Sequence, residues 1–214
     1  MKKILSIIVP FYNVENYIGA CVDSILAQSV QDDSYEVIFI NDGSQDNSDS
    51  LLRSKIDFAA SPRFQIFKKA NGGLSDARNY GVAHSEGQYI WFVDSDDTIE
   101  PNSVKVIYDT IDGDDVDIIF HSSYYIDEPD RISVCRMFYR DGVITGPELL
   151  RGRVKVCAQF YIVNRSFGNE GAYKFHVGIL HEDAELTPRM AYNALNIKIL
   201  PPPYTTTSSA KALS

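Results

Sequence analysis

Asp94, Asp96 and Asp97 crowd together directly after an apolar run, in the segment Gln88-Tyr-Ile-Trp-Phe-Val-Asp-Ser-Asp-Asp-Thr98. Carboxylates packed this closely repel one another unless something cationic sits among them. A hard divalent ion suits them. Mg²⁺ or Mn²⁺ takes one or two carboxylates and fills its other positions with water and substrate phosphate. The run Tyr89–Val93 reads as a buried strand, and open α/β sheets bind ligands beyond the carboxyl ends of their strands. The plainer alternative is a solvated acidic turn that caps the following helix.

Other segments carry chemistry of the same kind. Asp42, in Asn41-Asp-Gly-Ser44, follows a second apolar run, where it fits either a nucleotide contact or ordinary turn chemistry. Asn71-Gly-Gly-Leu-Ser-Asp-Ala-Arg-Asn79 is a glycine break leading into a helix. Gly73 lets backbone approach a ligand, the helix start favours phosphate, and Arg78 suits a carboxylate or diphosphate. A surface arginine beside a helix start is the alternative. The Gly-x-Gly-x-x-Gly dinucleotide spacing is missing. Glu182-Asp183, after His181, offers a general base or a helix-capping carboxylate. His84, His121 and His176 form no cluster with them. Arg136, Arg140, Arg151, Arg153 and Lys155 make the second half locally basic, which fits an anionic acceptor or, more simply, a solvated face.

The elements that must position these groups alternate. Strands are expected at Ile4–Val9, Tyr35–Ile40, Phe64–Phe67 and Tyr89–Val93. Helices are expected at Val14–Gln28, about Asn47–Phe58 and Ser75–His84, with Pro101 opening another at its favoured first position. This order predicts an α/β sandwich with a mainly parallel sheet. The second half is less regular. Val116–Tyr125 and Arg131–Tyr139 read as strands around Glu128-Pro-Asp130, Gly146–Gly152 as a short helix, and Val156–Val163 as apolar but ambiguous. A helix follows Asp183, with Leu186, Met190 and Leu195 on similar faces; Pro188 either kinks it or marks its first turn. Residues 201–209 read as extended, with a disordered end.

Composition narrows the partners. A length of 214 residues suits one domain. A net charge of −9 argues against nucleic acid, whose phosphates need a positive surface. Cys21, Cys135 and Cys157 are odd in number and widely spaced, so a reducing cytoplasm is expected rather than a disulfide framework or zinc site. No run reaches the roughly 20 apolar residues that span a bilayer.

Taken in order, Ile7-Ile-Val-Pro-Phe-Tyr-Asn13, Asn41-Asp-Gly-Ser44, Asn71-Gly-Gly-Leu-Ser-Asp-Ala-Arg-Asn79, Asp94-Ser-Asp96 and His181-Glu-Asp183 resemble family 2 glycosyltransferases of the GT-A fold. The resemblance covers residue 4 to about 195. It implies a Rossmann-like α/β/α sandwich, with about 1–98 as a nucleotide-sugar half, 99–200 as an acceptor half and 201–214 as a tail, and a sugar nucleotide, UDP by default, as donor. Pro10, Tyr12 and Asp42 would frame the nucleotide, Asp42 near its base, with Asn71, Gly73, Arg78 and Ser95 in the same donor site and Arg78 steadying the acidic cluster. Asp94 would contact ribose or metal, and Asp96 would coordinate the Mn²⁺ or Mg²⁺ that bridges the diphosphate. Asp183 would be the catalytic base of an inverting transfer to a hydroxyl of a saccharide or lipid-linked saccharide. The family role is bacterial surface-polysaccharide assembly, with cytoplasmic placement and room for peripheral contact with a membrane.

The chain departs from some relatives. Processive members carry Gln-x-x-Arg-Trp and membrane helices, and this chain has neither, so transfer of one sugar is expected. Where many soluble relatives have a tryptophan-bearing segment before the base, this chain reads Val156–Val163. Few residues follow Asp183, which fits a shortened chain or an open acceptor site. Two rival readings stand beside this one. Asp94-Ser-Asp-Asp-Thr98 also matches the nucleophile motif of haloacid-dehalogenase-type phosphatases, although it follows the fourth strand. A non-catalytic nucleotide-sugar-binding subunit of a transferase complex is the other.

Overall fold

In the computed structural model, the continuous apolar runs become strands buried on both faces. The structure describes residues 3–112, 115–128, 131–135, 142–152, 157–168, 171–200 and 207–209. Every residue of β1 (Leu5–Phe11) is buried. α1 (Ile18–Leu26) leads to β2 (Tyr35–Asn41), likewise buried throughout, then α2 (Ser48–Lys55), β3 (Phe64–Lys68), α3 (Leu74–Ala83), β4 (Tyr89–Phe92) and α4 (Ser103–Ile111). The second half adds β5 (Ile118–Phe120), β6 (Ser123–Glu128), β7 (Arg131–Cys135) and α5 (Gly146–Leu150). A 3-10 turn (Ala158–Phe160), β8 (Tyr161–Asn164), α6 (Glu182–Tyr192), β9 (Ile197–Ile199) and β10 (Thr207–Ser209) follow.

Seven strands form one sheet in the order β3-β2-β1-β4-β8-β5-β9. All run the same way except β8, which is antiparallel to both β4 and β5. Side chains alternate across a strand, so β1 feeds two cores. Leu5, Ile7 and Val9 pack with Cys21, Val22 and Ile25 of α1, Leu52 of α2 and Val104 of α4. Ile8 faces the other way, toward Leu149 of α5 and Leu186 and Met190 of α6. Ala77 of α3 packs on Ile38 and Ile40 of β2, the face to which Ile8 also points. This is the expected α/β/α sandwich, and it puts α3 and α6 on one side.

Several expected boundaries move, for local reasons. Residues 14–17 form a turn, Tyr17 N–H donating to the Val14 carbonyl at 2.9 Å, so α1 starts later than Val14. α2 stops at Lys55 because Ile56 turns extended and buries its side chain. Pro101 does not open α4: it lies in the preceding turn, and Ser103 N–H donates to the Glu100 carbonyl at 3.0 Å. The strand expected over Val116–Tyr125 divides at His121-Ser122. β5 belongs to the large sheet, whereas β6 pairs with β7 and with β10 in a second, three-stranded one. Pro188 lies inside α6, which continues past it to Tyr192, and Leu195 lies beyond the helix and is exposed. Residues 207–209 form β10 parallel to β6. The rest of the expected tail, residues 136–139 of the expected second strand, Val156, and Arg136, Arg140, Arg153 and Lys155 lie outside the described residues.

α5 begins at a capping box: Thr145 and Glu148 satisfy one another's chain ends, with Pro147 in the first turn. Its first residue, Gly146, lies against the Ala191 carbonyl of α6, where a Cβ would come 2.6 Å from the carbonyl carbon. Backbone cannot yield as a side chain can. Gly146→Ala is therefore expected to cost about 2–3 kcal/mol, the upper part of the range for overpacking, read as a lower urea midpoint at unchanged m-value. A midpoint equal to wild type would show that the two helices separate freely.

Candidate active site

The parallel strands end along one edge, and most of the residues singled out by sequence lie on the turns there. Pro10 is buried within β1, and Tyr12, just past it, is 47% exposed. Asn13 adopts a left-handed φ of 52°. Its Nδ2-bearing amide accepts from Gln45 N–H through Oδ1 at 2.8 Å, and its own N–H donates to Ser44 Oγ at 3.2 Å. The turns after β1 and β2 are thereby tied together.

Asp42 follows β2 and is nearly buried. Its carboxylate accepts from Lys69 Nζ at 2.6 Å, Gly72 N–H at 3.0 Å and Gly73 N–H at 2.9 Å. Lys69 also pairs with Asp76 at 2.6 Å. Gly73 has φ 85°, a conformation that glycine adopts without strain. A side chain at Gly72 would collide with Asp76 and Lys69. Asp42 thus holds the glycine break against the sheet, with Asn71 exposed beside it.

Arg78 is the centre of the arrangement. It is 2% exposed, donating from Nη2 to Asp94 Oδ1 and from Nη1 to Glu182 Oε1, both at 2.7 Å. The guanidinium carbon sits 5.1 Å from the Phe175 ring centre. Asp94 comes from the turn after β4, and Glu182 from the first turn of α6. One buried cation therefore joins the acidic turn to the helix that carries Asp183.

Electrostatics mark two carboxylates. Burial, and then the charge of Asp94, push the Asp96 carboxyl above the ordinary carboxylate range. Burial, and then Glu182, raise Asp183 likewise, against the lowering effect of Ala184 N–H, which donates to its Oδ1 at 2.8 Å. His181, with φ 56°, turns the chain into α6. Ser95 and Asp97, in the same turn as Asp94 and Asp96, are buried. Among the described residues, no three His, Cys, Asp or Glu side chains gather as a closed metal cage. Asp94 and Asp96 instead make a two-carboxylate set whose mutual repulsion a cation relieves, the donor chemistry that Mg²⁺ or Mn²⁺ accepts when diphosphate and water supply the rest.

Sequence reasoning did not find Lys69, the Glu182–Arg78 pair, or Asn79, which exchanges two hydrogen bonds with the backbone of Phe175. Lys69 had a signal, a basic residue between a strand end and a glycine break. The pairs spanning about a hundred residues had none.

The sequence pattern of "Glycosyl transferase family 2" matches residues 6–170, most of the chain. The chain belongs to glycosyltransferase family 2. Its family 2 pattern covers Asp42, Arg78, Asp94 and Asp96 and stops short of Asp183. The glycosyltransferase EpsJ of Bacillus subtilis is 36% identical over 150 residues, 70% of this chain and 42% of that protein. The chondroitin synthase of Pasteurella multocida is 43% identical over 103 residues, 48% of this chain and 10% of that one. The chain thus spans less than half the length of these relatives. Among solved structures, S. aureus TarS 1–349 in complex with UDP-GlcNAc superposes with a TM-score of 0.83 at 22% identity, over 97% of this chain and 59% of that one. The fold is therefore GT-A, as the sequence motifs implied. Family membership also removes the phosphatase reading of Asp94.

Proposed function

We propose that this family 2 domain transfers one sugar from a UDP-sugar to a hydroxyl of a saccharide or lipid-linked saccharide, inverting the anomeric centre, in bacterial polysaccharide assembly. The observation that carries the reading is Arg78, which binds Asp94 and Glu182 at once. The donor-side carboxylates and the base candidate thereby face one space. Asp42, Asn71 and Gly73 frame the nucleotide with Pro10 and Tyr12, residues 1–98 forming the donor half and 99–200 the acceptor half. Asp94 and Asp96 would hold Mn²⁺ or Mg²⁺, which when bound stabilises charge on the leaving diphosphate. Asp183 takes the acceptor proton as the oxygen attacks from the face opposite the leaving group. Its raised pKa makes it a stronger base than an exposed carboxylate. UDP is favoured because the similar TarS holds UDP-GlcNAc. The relatives that support polysaccharide chemistry include a chondroitin synthase. Among the described residues no helix is long and apolar enough to cross a membrane; we place the reaction in the cytoplasm, on the strength of the family and of the free thiols of Cys21 and Cys157.

Calorimetry with UDP, GDP and CMP, each with Mn²⁺ and with a chelator, tests the reading. UDP is expected to bind with Mn²⁺, and binding is expected to weaken at least about tenfold in Asp96→Asn, which removes a charged ligand. Equal binding with chelator, or binding that Asp96→Asn leaves untouched, rules out this metal site. The non-catalytic subunit reading predicts the same binding with no turnover of any UDP-sugar.

A further inference from the structure

Two adjacent residues of α3 hold both ends of the stretch that delivers Asp183. Arg78 grips Glu182 at its far end, and Asn79 grips Phe175 at its near end. Asn79 Nδ2 donates to the Phe175 carbonyl at 2.9 Å, while Phe175 N–H donates to Asn79 Oδ1 at 3.0 Å. The side chains between them face outward: Val177 is 55% exposed and Leu180 is 89% exposed. Gly178 adds a left-handed residue, and His176 approaches Glu185 only at 3.7 Å. The stretch therefore takes its place from its two ends.

The Glu182 end is the stronger grip. Its partner is a charged, buried guanidinium whose other arm is on Asp94, and charge-assisted bonds at low exposure are stronger than surface pairs. Asp183 is the next residue along the chain. Whatever fixes the Glu182 carboxylate fixes the first turn of α6, and with it the separation of Asp183 from the donor-side carboxylates. A displacement of about 1 Å at such a centre can cost on the order of a hundredfold in rate.

We infer that Glu182 is a positioning residue: through Arg78 it sets where Asp183 stands relative to Asp94, and Asn79 secures the same stretch at Phe175. This rests on the reading of Asp183 as the base, but the hold itself does not, so two measurements separate them. In Glu182→Ala, amide hydrogen exchange at residues 184–187, in the first turns of α6, is expected to quicken about tenfold, while β1 keeps its protection. Unchanged exchange overturns the inference with no substrate needed.

Turnover, read as UDP release from UDP-GlcNAc, gives the second readout. Glu182→Ala is expected to lower kcat about 10- to 100-fold with KM for UDP-GlcNAc within about twofold. Added to Asp183→Asn it should cost nothing more, because an absent base needs no placing. Losses that multiply would overturn the inference and make Glu182 an independent participant. Full activity in Asp183→Asn would instead remove the base reading and leave the exchange result to judge the hold. Glu182→Gln keeps an acceptor oxygen for Arg78 and should fall between wild type and Ala in both measurements. It serves as the test variant if Glu182→Ala does not fold.

Discussion

Asp183→Asn is expected to lose about a thousandfold in kcat, within the range for removing a general base, while keeping its fold and its affinity for UDP. The amide has the carboxylate's shape, and its oxygen still accepts from Ala184 N–H, so packing around the start of α6 is preserved. It cannot take a proton from the acceptor. Stability moves the other way. Burial and Glu182 raise the Asp183 pKa in the folded state, so protonation favours folding: this contribution is present at low pH and fades as pH rises from about 4 through the raised value. At neutral pH the wild-type charge is a burden that the variant lacks. Asp183→Asn should therefore melt no lower than wild type at pH 7, and the advantage should vanish in acid. The same shift predicts that wild-type kcat falls on acidification before an ordinary carboxylate would titrate. Measured kcat against pH, with melting curves of both proteins, checks all three. A variant that melts lower and retains activity would show that Asp183 is a structural carboxylate.

Arg78→Met should have the second large effect, on stability and turnover together. Removing one partner of a buried ion pair typically costs 3–5 kcal/mol, about 3 being expected here because solvent reaches part of both carboxylates. Asp94 and Glu182 would be left as like charges facing a hydrophobic chain, with 26% and 16% of their side chains exposed. Turnover should fall below about a thousandth of wild type, since the variant disturbs both the donor side and the base. Arg78→Lys separates the two effects. A single ammonium on a flexible stem cannot serve two carboxylates in fixed directions as the planar guanidinium does. It should recover much of the stability and little of the rate. Urea unfolding and UDP release measure these separately, and equal recovery of both would mean that charge alone, not geometry, is what Arg78 supplies.

The donor half of the fold was legible because its physics is local. β1 and β2 are buried on both faces, so they read as unbroken apolar runs, and their ends fall within two residues of expectation. Helix ends were less legible: Val14–Tyr17 has the right periodicity but is taken up by a turn that docks on Ser48. The division at His121-Ser122 was hidden because both sides have strand character, and only the partners differ. For the site, residue type and spacing identified Asp42, Arg78, Asp94, Asp96 and Asp183 as candidates. Beyond Arg78, which suited a carboxylate and pairs with Asp94, they did not show what each touches. Asp42 was expected near a base, and in the structure its oxygens are occupied by Lys69 and the Gly72 and Gly73 amides. Arg78 was expected near the donor, and its second arm on Glu182 depends on α3 and α6 sharing a face, which no short window of sequence contains.

Strand β8 runs against both of its neighbours, β4 and β5, and the reversal decides which of its ends meets the acidic turn. Trp91 of β4 lies opposite Ile162, and its indole N–H donates to the Gln159 carbonyl at 3.4 Å, so the chain leading into β8 arrives at the edge where the other strands leave. Cys157 registers that address: burial first, then the charge of Asp94, push its thiol up to about 12. Ala158, Gln159 and Phe160 of that stretch are buried, so the chain that meets this edge is held as firmly as the strands themselves. One reversed strand thus brings its beginning to the same edge to which β1, β2 and β4 bring their ends.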